Sequence, residues 1–174
     1  MLELVANKSY TSGAQDPEGV SLMESGAKSE IITLKTSHGT IAVEKKNLIN
    51  FPEGMYGFEE YCDFAFFDIK GCKPFRSMLS VQEGGPDFVI VEPGLIFNDY
   101  NPLDALNSLD EIGLGDPLEL VILAIVTIAE NPEDITVNLR GPIFFNLTNR
   151  QAQQIILPDE TYSTKTPIMI EQDD

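Results

Sequence analysis

The sequence predicts a mostly β protein, a small antiparallel β-barrel-like domain with one short helix. Short runs of β-branched and aromatic residues recur along the chain, separated by glycine, proline and asparagine turns, which is the pattern of sequential antiparallel strands. One segment alone, Asn101 to Leu114, carries a helical period. At 174 residues with 43% hydrophobic content, the chain has the size of one domain and enough apolar surface to bury a core.

Residues 1–29 are rich in Ser, Gly, Glu and Ala without a sustained period, and are expected to form a flexible N-terminal extension. The ordered domain is expected over 30–168, with an acidic tail at 169–174. Ile31 to Leu34 and Ile41 to Val43, separated by a turn at Ser37-His38-Gly39, predict an opening hairpin. The loop from Asn50 to Tyr61 (NFPEGMYGFEEY) combines turn formers with four aromatics; its Pro and glycines fix the backbone, and its rings are expected to plug one end of the barrel. Strands follow at Phe64 to Asp68, Phe75 to Val81 and Phe88 to Glu92. Over Asn101 to Leu114 the spacing predicts the helix, with Asn101 as its cap and Leu103, Leu106, Leu109 and Ile112 as its apolar stripe. Leu118 to Ala129 is long, β-branched and nearly uncharged, so it is expected to be the central strand. Further strands are expected at Thr136 to Leu139, Pro142 to Leu147 and Gln154 to Leu157.

Charge narrows the function. Twenty-eight acidic residues against 11 basic ones give a net charge of −17, which repels phosphate backbones and anionic headgroups, so neither direct nucleic-acid binding nor a membrane surface is expected. Between Arg76 and Arg140 no cation occurs, while Glu83, Asp87, Glu92, Asp99, Asp104, Asp110, Glu111, Asp116, Glu119, Glu130, Glu133 and Asp134 do. This acidic middle is either a solvated face or a docking face for a cationic protein. No run reaches the ~20 apolar residues of a membrane span, and Cys62 and Cys72 do not make a disulfide framework. A cytoplasmic protein with reduced thiols is expected.

Chemistry-bearing patterns are missing. His38 is the sole histidine and lies in a turn, without a nucleophile elbow elsewhere. One histidine and two cysteines ten residues apart give no zinc pattern. Gly84-Gly85 runs into Pro86, and Gly113-Leu114-Gly115 into Asp116-Pro117, so neither reads as a phosphate cradle. No catalysis, metal or cofactor is expected.

Three segments carry a family resemblance. Phe51-Pro52-Glu53-Gly54-Met55-Tyr56-Gly57-Phe58-Glu59 resembles the Phe-Pro-x-Gly-Ile-Pro-Gly-Phe-Glu signature of the FliW flagellar assembly factors. Asn138 to Ile143 (NLRGPI), Asn146 to Arg150 (NLTNR) and Gln153 to Leu157 (QQIIL) are similar to that family's Asn-Leu-x-x-Pro-Ile, Asn-x-x-x-Arg and Gln-x-Ile-Leu. Tyr162 to Ile168 (YSTKTPI) resembles its closing Tyr-Ser-Thr-Arg-His-Pro-Ile. The matching positions include Phe51, Pro52, Gly54, Gly57, Phe58, Asn138, Pro142, Asn146, Arg150, Tyr162 and Pro167. Met55-Tyr56 replaces the usual Ile-Pro, and Lys165-Thr166 the usual Arg-His. The resemblance implies a protein without cofactor or catalysis that binds flagellin and, alternatively, the carbon storage regulator CsrA, a small basic RNA-binding dimer whose repression of flagellin translation it relieves allosterically. An acidic nucleic-acid mimic that covers a basic surface directly is the alternative. The monomer is the expected form.

Composition adds one candidate partner site. Glu92, Phe97, Asn98, Asp99, Tyr100 and Asp104 bring carboxylates and apolar rings into one loop, the mixture that steers and then anchors a basic partner. In the alternative reading Phe97 and Tyr100 pack the start of the helix.

Overall fold

The computed structural model describes residues 30–36, 39–105, 114–158 and 162–168. His38 and the flanking segments 1–29 and 169–174 lie outside them.

The opening hairpin forms as expected, β1 (Ile31–Thr36) against β2 (Gly39–Glu44), with Ile31 opposite Glu44 and Leu34 opposite Ile41. It stands apart from the main sheet and lays Leu34, with Ile32 and Val43 beside it, onto Ala65 and Leu79. The main sheet is antiparallel: β3 (Ile49–Asn50), β4 (Asp63–Asp68), β5 (Arg76–Ser80), β6 (Asp87–Val91) and β7 (Leu120–Thr127) each pair with the next. The far edge of β7 pairs first with β9 (Ile143–Asn146) and then with β8 (Thr136–Val137). β10 (Ala152–Gln154) borders β9, and β11 (Thr166–Pro167) borders β8.

β7 is central because its alternation serves both faces of the sheet. Val121, Leu123 and Ile125 face the interior with Phe64, Met78, Ile90, Ile143 and Phe145. Ala124 and Val126 face outward under Ile135, Val137, Leu139 and Ile168, and Leu120 and Ile122 pack with Leu114 and Phe144. No strand of this length could be buried on both faces without such uninterrupted apolar content.

The barrel-like expectation holds with one restriction. The two edge strands, β3 and β10, meet at a single parallel bridge between Asn50 and Gln151, where the Asn50 amide donates to the Arg150 carbonyl at 2.9 Å. The sheet is therefore curled until its edges touch, without a closing ladder of the kind a complete barrel has.

Two expectations need correction. No α-helix occurs among the described residues: Pro102–Ala105 forms a 3-10 turn, and 106–113 lie outside the description. Pro102 is buried and Leu103 packs towards Phe144, so the start of the apolar stripe reaches the core through a tighter turn than the period suggests. The last strand expected over Gln154 to Leu157 lies instead at Ala152–Gln154, and the sequence reading passed over β3 and β11. Ile155 and Leu157 still bond the 140–142 backbone, through Ile155 N to Pro142 O (3.0 Å) and Leu157 N to Arg140 O (2.8 Å), in irregular geometry. Cys62 and Cys72 are free. The six-residue β4 lies between them and spans about 20 Å, far beyond the ~7 Å Cα separation a disulfide tolerates.

Candidate functional site

The loop between β3 and β4 closes one mouth of the barrel. Its backbone makes three successive tight turns: Gly54 N to Phe51 O (3.0 Å), Phe58 N to Met55 O (2.8 Å) and Tyr61 N to Phe58 O (3.1 Å). Gly54 has φ 69°, and a Cβ there would lie 2.5 Å from the Glu59 backbone, so no side chain fits. At Gly57 the backbone is also left-handed (φ 81°), but a Cβ would meet open space. The Gly57 amide donates to the Glu59 carboxylate at 2.9 Å. That bond holds the Glu59 pKa below the ordinary carboxylate value.

The expected plug is formed by part of the loop. Phe51 and Met55 are fully buried, Phe51 edge-on to Phe64 at 5.2 Å, with Tyr61 packed beside them. Phe58 stacks edge-on to Phe88 at 5.1 Å and keeps its outer side in solvent. Tyr56 points away from the barrel and is 62% exposed.

Three of the motif segments meet at this mouth. The Tyr56 amide donates to Gln154 Oε1 (3.3 Å), and Gln154 Nε2 donates to the Gly141 carbonyl (3.2 Å). The Gly141 amide donates to Asn138 Oδ1 (2.9 Å). A Cβ on Gly141 would stand 3.0 Å from Asn138 Nδ2 and 3.2 Å from Ile156 Cδ1, so the glycine lets the amides and Ile156 close over the backbone. Pro142 follows, buried. The result is an exposed surface of Tyr56, Phe58 and Ile156, with the exposed carboxylates of Glu53, Glu59 and Glu60 on the same loop. Ion pairs among the described residues join Lys45 to Glu30, Lys46 to Glu44 and Arg76 to Asp68, all away from the mouth.

The other motif residues hold the sheet together. Asn146, 1% exposed, donates to the Leu114 carbonyl at 2.9 Å and accepts from the Thr148 and Asn149 amides. Arg150 has φ 59° and donates from Nε to the Leu48 carbonyl (3.1 Å) and from Nη2 to the Asn47 carbonyl, its guanidinium 5.5 Å from the Phe145 ring centre. Burial lowers its pKa. Tyr162 stacks edge-on to Tyr100 at 4.9 Å, and Pro167 pairs with Thr136. Pro52 is exposed at the first turn of the mouth loop.

The composition-based site is a different surface. Glu92, Asn98 and Asp99 are exposed, whereas Phe97 and Tyr100 are half-buried against Val91, Ala124, Val137 and Leu139. The Tyr100 hydroxyl donates to the Leu139 carbonyl at 2.8 Å, and burial raises its pKa. The Asp104 side chain lies outside the description. Leu95, 64% exposed, is the apolar side chain this loop offers to solvent, and sequence reasoning passed it over. It also passed over Tyr56 and Ile156 as a joint surface. The signal that could have found them was the pairing of Gln154 with Gly141, two polar or small positions inside the resembling segments. The acidic middle divides as well: Glu83, Asp87, Glu130, Glu133 and Asp134 surround one end of β6 and β7, and Glu92, Asp99 and Asp116 follow the other. Among the described residues, these charges therefore lie at both ends of the sheet.

No group of three or more His, Cys, Asp or Glu side chains placed to hold a metal occurs among the described residues. Nor is any described helix long and apolar enough to cross a membrane.

Fold and motif geometry together define a class: a small, curled antiparallel β-sheet domain whose sequence signatures gather at one plugged mouth and along its closing seam. The FliW protein family matches residues 32–168, and the chain belongs to that family, the flagellar assembly factors. It is 36% identical over 140 residues to flagellar assembly factor FliW of Leptospira biflexa serovar Patoc, covering 79% of this chain and 92% of the relative. To the FliW of Geobacter sulfurreducens it is 37% identical over 132 residues, or 76% and 82% of the two chains. A crystal structure of the flagellar assembly factor FliW superposes with a TM-score of 0.69 at 28% identity, covering 83% of this chain and all of that one.

Proposed function

We propose that this flagellar assembly factor is a cytoplasmic monomer that acts by binding proteins: it holds flagellin and, when flagellin is absent, sequesters the basic regulator CsrA, releasing flagellin translation. The observation that carries this reading is the pairing of a −17 charge with solvent-exposed apolar side chains set among carboxylates at the mouth. Long-range attraction speeds encounter with a basic dimer, and a few desolvated side chains supply affinity. The exposed carboxylates of Glu92 and Asp99 add to the steering field of the 92–104 loop.

The test is binding of the purified chain to purified flagellin and to purified CsrA over a range of salt. Binding to CsrA should weaken steeply as salt rises, because screening shortens the attraction to ~8 Å at physiological ionic strength. Absence of binding to both proteins at low salt refutes the reading. The same charge would also suit a nucleic-acid mimic, and competition separates the two: excess RNA displaces a mimic, whereas an allosteric antagonist forms a ternary complex with CsrA and RNA.

A further inference from the structure

Leu118, Leu95 and Ile31 are exposed singly, on separate elements, whereas the other large exposed apolar side chains among the described residues lie at the mouth end of the sheet. Tyr56 is 62% exposed, Ile156 46% and Phe58 37%, and the bonds through Gln154 and Gly141 bring the first two together on one rim of the mouth while Phe58 crosses it onto Phe88. Ile128, 57% exposed, lies just beyond the end of β7, and the register that sets Val89 opposite Val126 carries it towards Asp87 at the same end of the sheet. The loop beneath them is pinned by three turns, a glycine that admits no side chain, and buried Phe51 and Met55. Anchors on such a support lose little freedom when a partner covers them.

Charge decides between occupants. The mouth loop carries exposed Glu53, Glu59 and Glu60, with Asp87 at the adjacent start of β6. A two-fold contact with a second copy would set this patch against itself, bringing those carboxylates together with no cation from the loop to offset them. A basic partner meets no such penalty. The cations Lys70, Lys73 and Arg76 lie at the opposite end of β4, in and beside its connection to β5, so a cationic partner is repelled by that turn, whereas every charged side chain of the mouth loop is acidic.

We propose that the mouth surface of Tyr56, Phe58 and Ile156 is the docking site for the basic partner, which inserts an aliphatic side chain between the Tyr56 and Ile156 side chains and sets flanking lysine or arginine against Glu53 and Glu60. This rests on the reading that the protein binds a basic regulator, and it assigns that role to the mouth in preference to the 92–104 loop.

The test measures affinity of the full chain for purified CsrA and for purified flagellin, with a Tyr56→Ser, Ile156→Ser double variant, a Glu53→Gln, Glu60→Gln double variant, and Ile31→Ser on the separate hairpin as control. Both mouth positions are exposed, and thermal melting checks that each variant folds. The apolar double variant should lose about tenfold or more in CsrA affinity, the scale of truncated interface anchors, while the control stays within about twofold. The charge variant should bind less tightly at low salt and show a flatter salt dependence. A folded apolar variant that binds CsrA like the wild type, or one that loses flagellin alone, overturns the assignment. An unchanged salt dependence in the charge variant also counts against it. If the wild-type chain binds neither protein, the proposed function itself fails, an outcome distinct from the others.

Discussion

Arg150 is where the curled sheet is most open to attack. Its guanidinium bonds two carbonyls, those of Asn47 and Leu48, which immediately precede edge strand β3, while its own carbonyl receives the Asn50 amide from that strand. Replacing it with alanine removes two charge-assisted bonds and the contact over Phe145. Such bonds are worth about 1.5–3 kcal/mol each when fully buried, but Arg150 is half-exposed, so water can reach the freed carbonyls and about 1 kcal/mol each is the better figure. The ring contact adds about 0.5–1 kcal/mol. Arg150→Ala should therefore cost about 2–3 kcal/mol, lowering the urea midpoint by about 1–2 M without changing the slope. Arg150→Gly loses the same bonds but relieves the left-handed backbone, roughly 1–2 kcal/mol, against about 0.5–1 kcal/mol of added chain entropy. It should match or slightly exceed the alanine variant in stability. Equilibrium urea unfolding at neutral pH decides. An Arg150→Ala variant within about 0.5 kcal/mol of the wild type would refute the latch, because the Asn50 bridge and the shared core packing of Ile49 and Ala152 would then hold the two edges without it.

Asn146→Ala should cost about 2–4 kcal/mol in the same assay, since the Thr148 and Asn149 amides lose their acceptor and the Leu114 carbonyl loses one of its two donors. Gly54→Ala should destabilise by about 2–4 kcal/mol through collision with the Glu59 backbone, whereas Gly57→Ala, with open space around it, should cost only about 1 kcal/mol; equal losses in thermal melting would contradict the geometry. Tyr100, whose folded pKa is raised by burial first and by Tyr162 second, contributes stability that is complete below the unfolded phenol pKa near ~10 and is lost as pH climbs towards the folded value. Tyr100→Phe should lose about 1 kcal/mol at neutral pH and should also lose part of this alkaline sensitivity, read by unfolding at several pH values. Charge reversal at Asp99, followed by titration with each protein partner, should slow CsrA association modestly and leave its dissociation unchanged, as expected of a steering charge outside the contact.

Most strand positions were legible because the relevant signal is local. β4, β5, β6 and β9 fall within their expected runs or extend them by one residue, and the apolar run from Leu118 marked β7 as central. Elements whose identity depends on distant partners were not legible. β11 is two residues long and exists because Pro167 and Thr166 lie opposite Thr136 and Val137. The apolar stripe of 101–114 could not say that its first turn would be 3-10, with Pro102 buried. Phe97 and Tyr100 look like surface anchors in sequence, and the hydroxyl bond to Leu139, 39 residues away, is what turns Tyr100 inward. Conversely, Tyr56 sits among three aromatics that do pack, yet its side chain is 62% exposed while its backbone amide bonds Gln154.

The motif residues therefore divide into two kinds, and the division bears on how the surface can work. Asn146, Arg150, Tyr162 and Pro167 fix the seam and the flanking β8–β11 pair; changes there act through stability. Gly54, Gly57, Asn138, Gly141 and Gln154 fix the shape of the mouth without covering it. The loop is pinned firmly from below and carries an exposed tyrosine and three exposed carboxylates above. The signature this loop resembles has an Ile-Pro pair in the place of Met55-Tyr56. Here the buried methionine keeps the inward anchor, 2% exposed, and the tyrosine supplies an outward ring where proline would give a smaller apolar face. Substituting Tyr56→Pro should accordingly cost the amide bond to Gln154, roughly 1 kcal/mol, while reducing rather than abolishing partner affinity. Complete loss of binding by a folded Tyr56→Pro variant would mean that the ring itself, and not the apolar surface it shares with Ile156, makes the recognition.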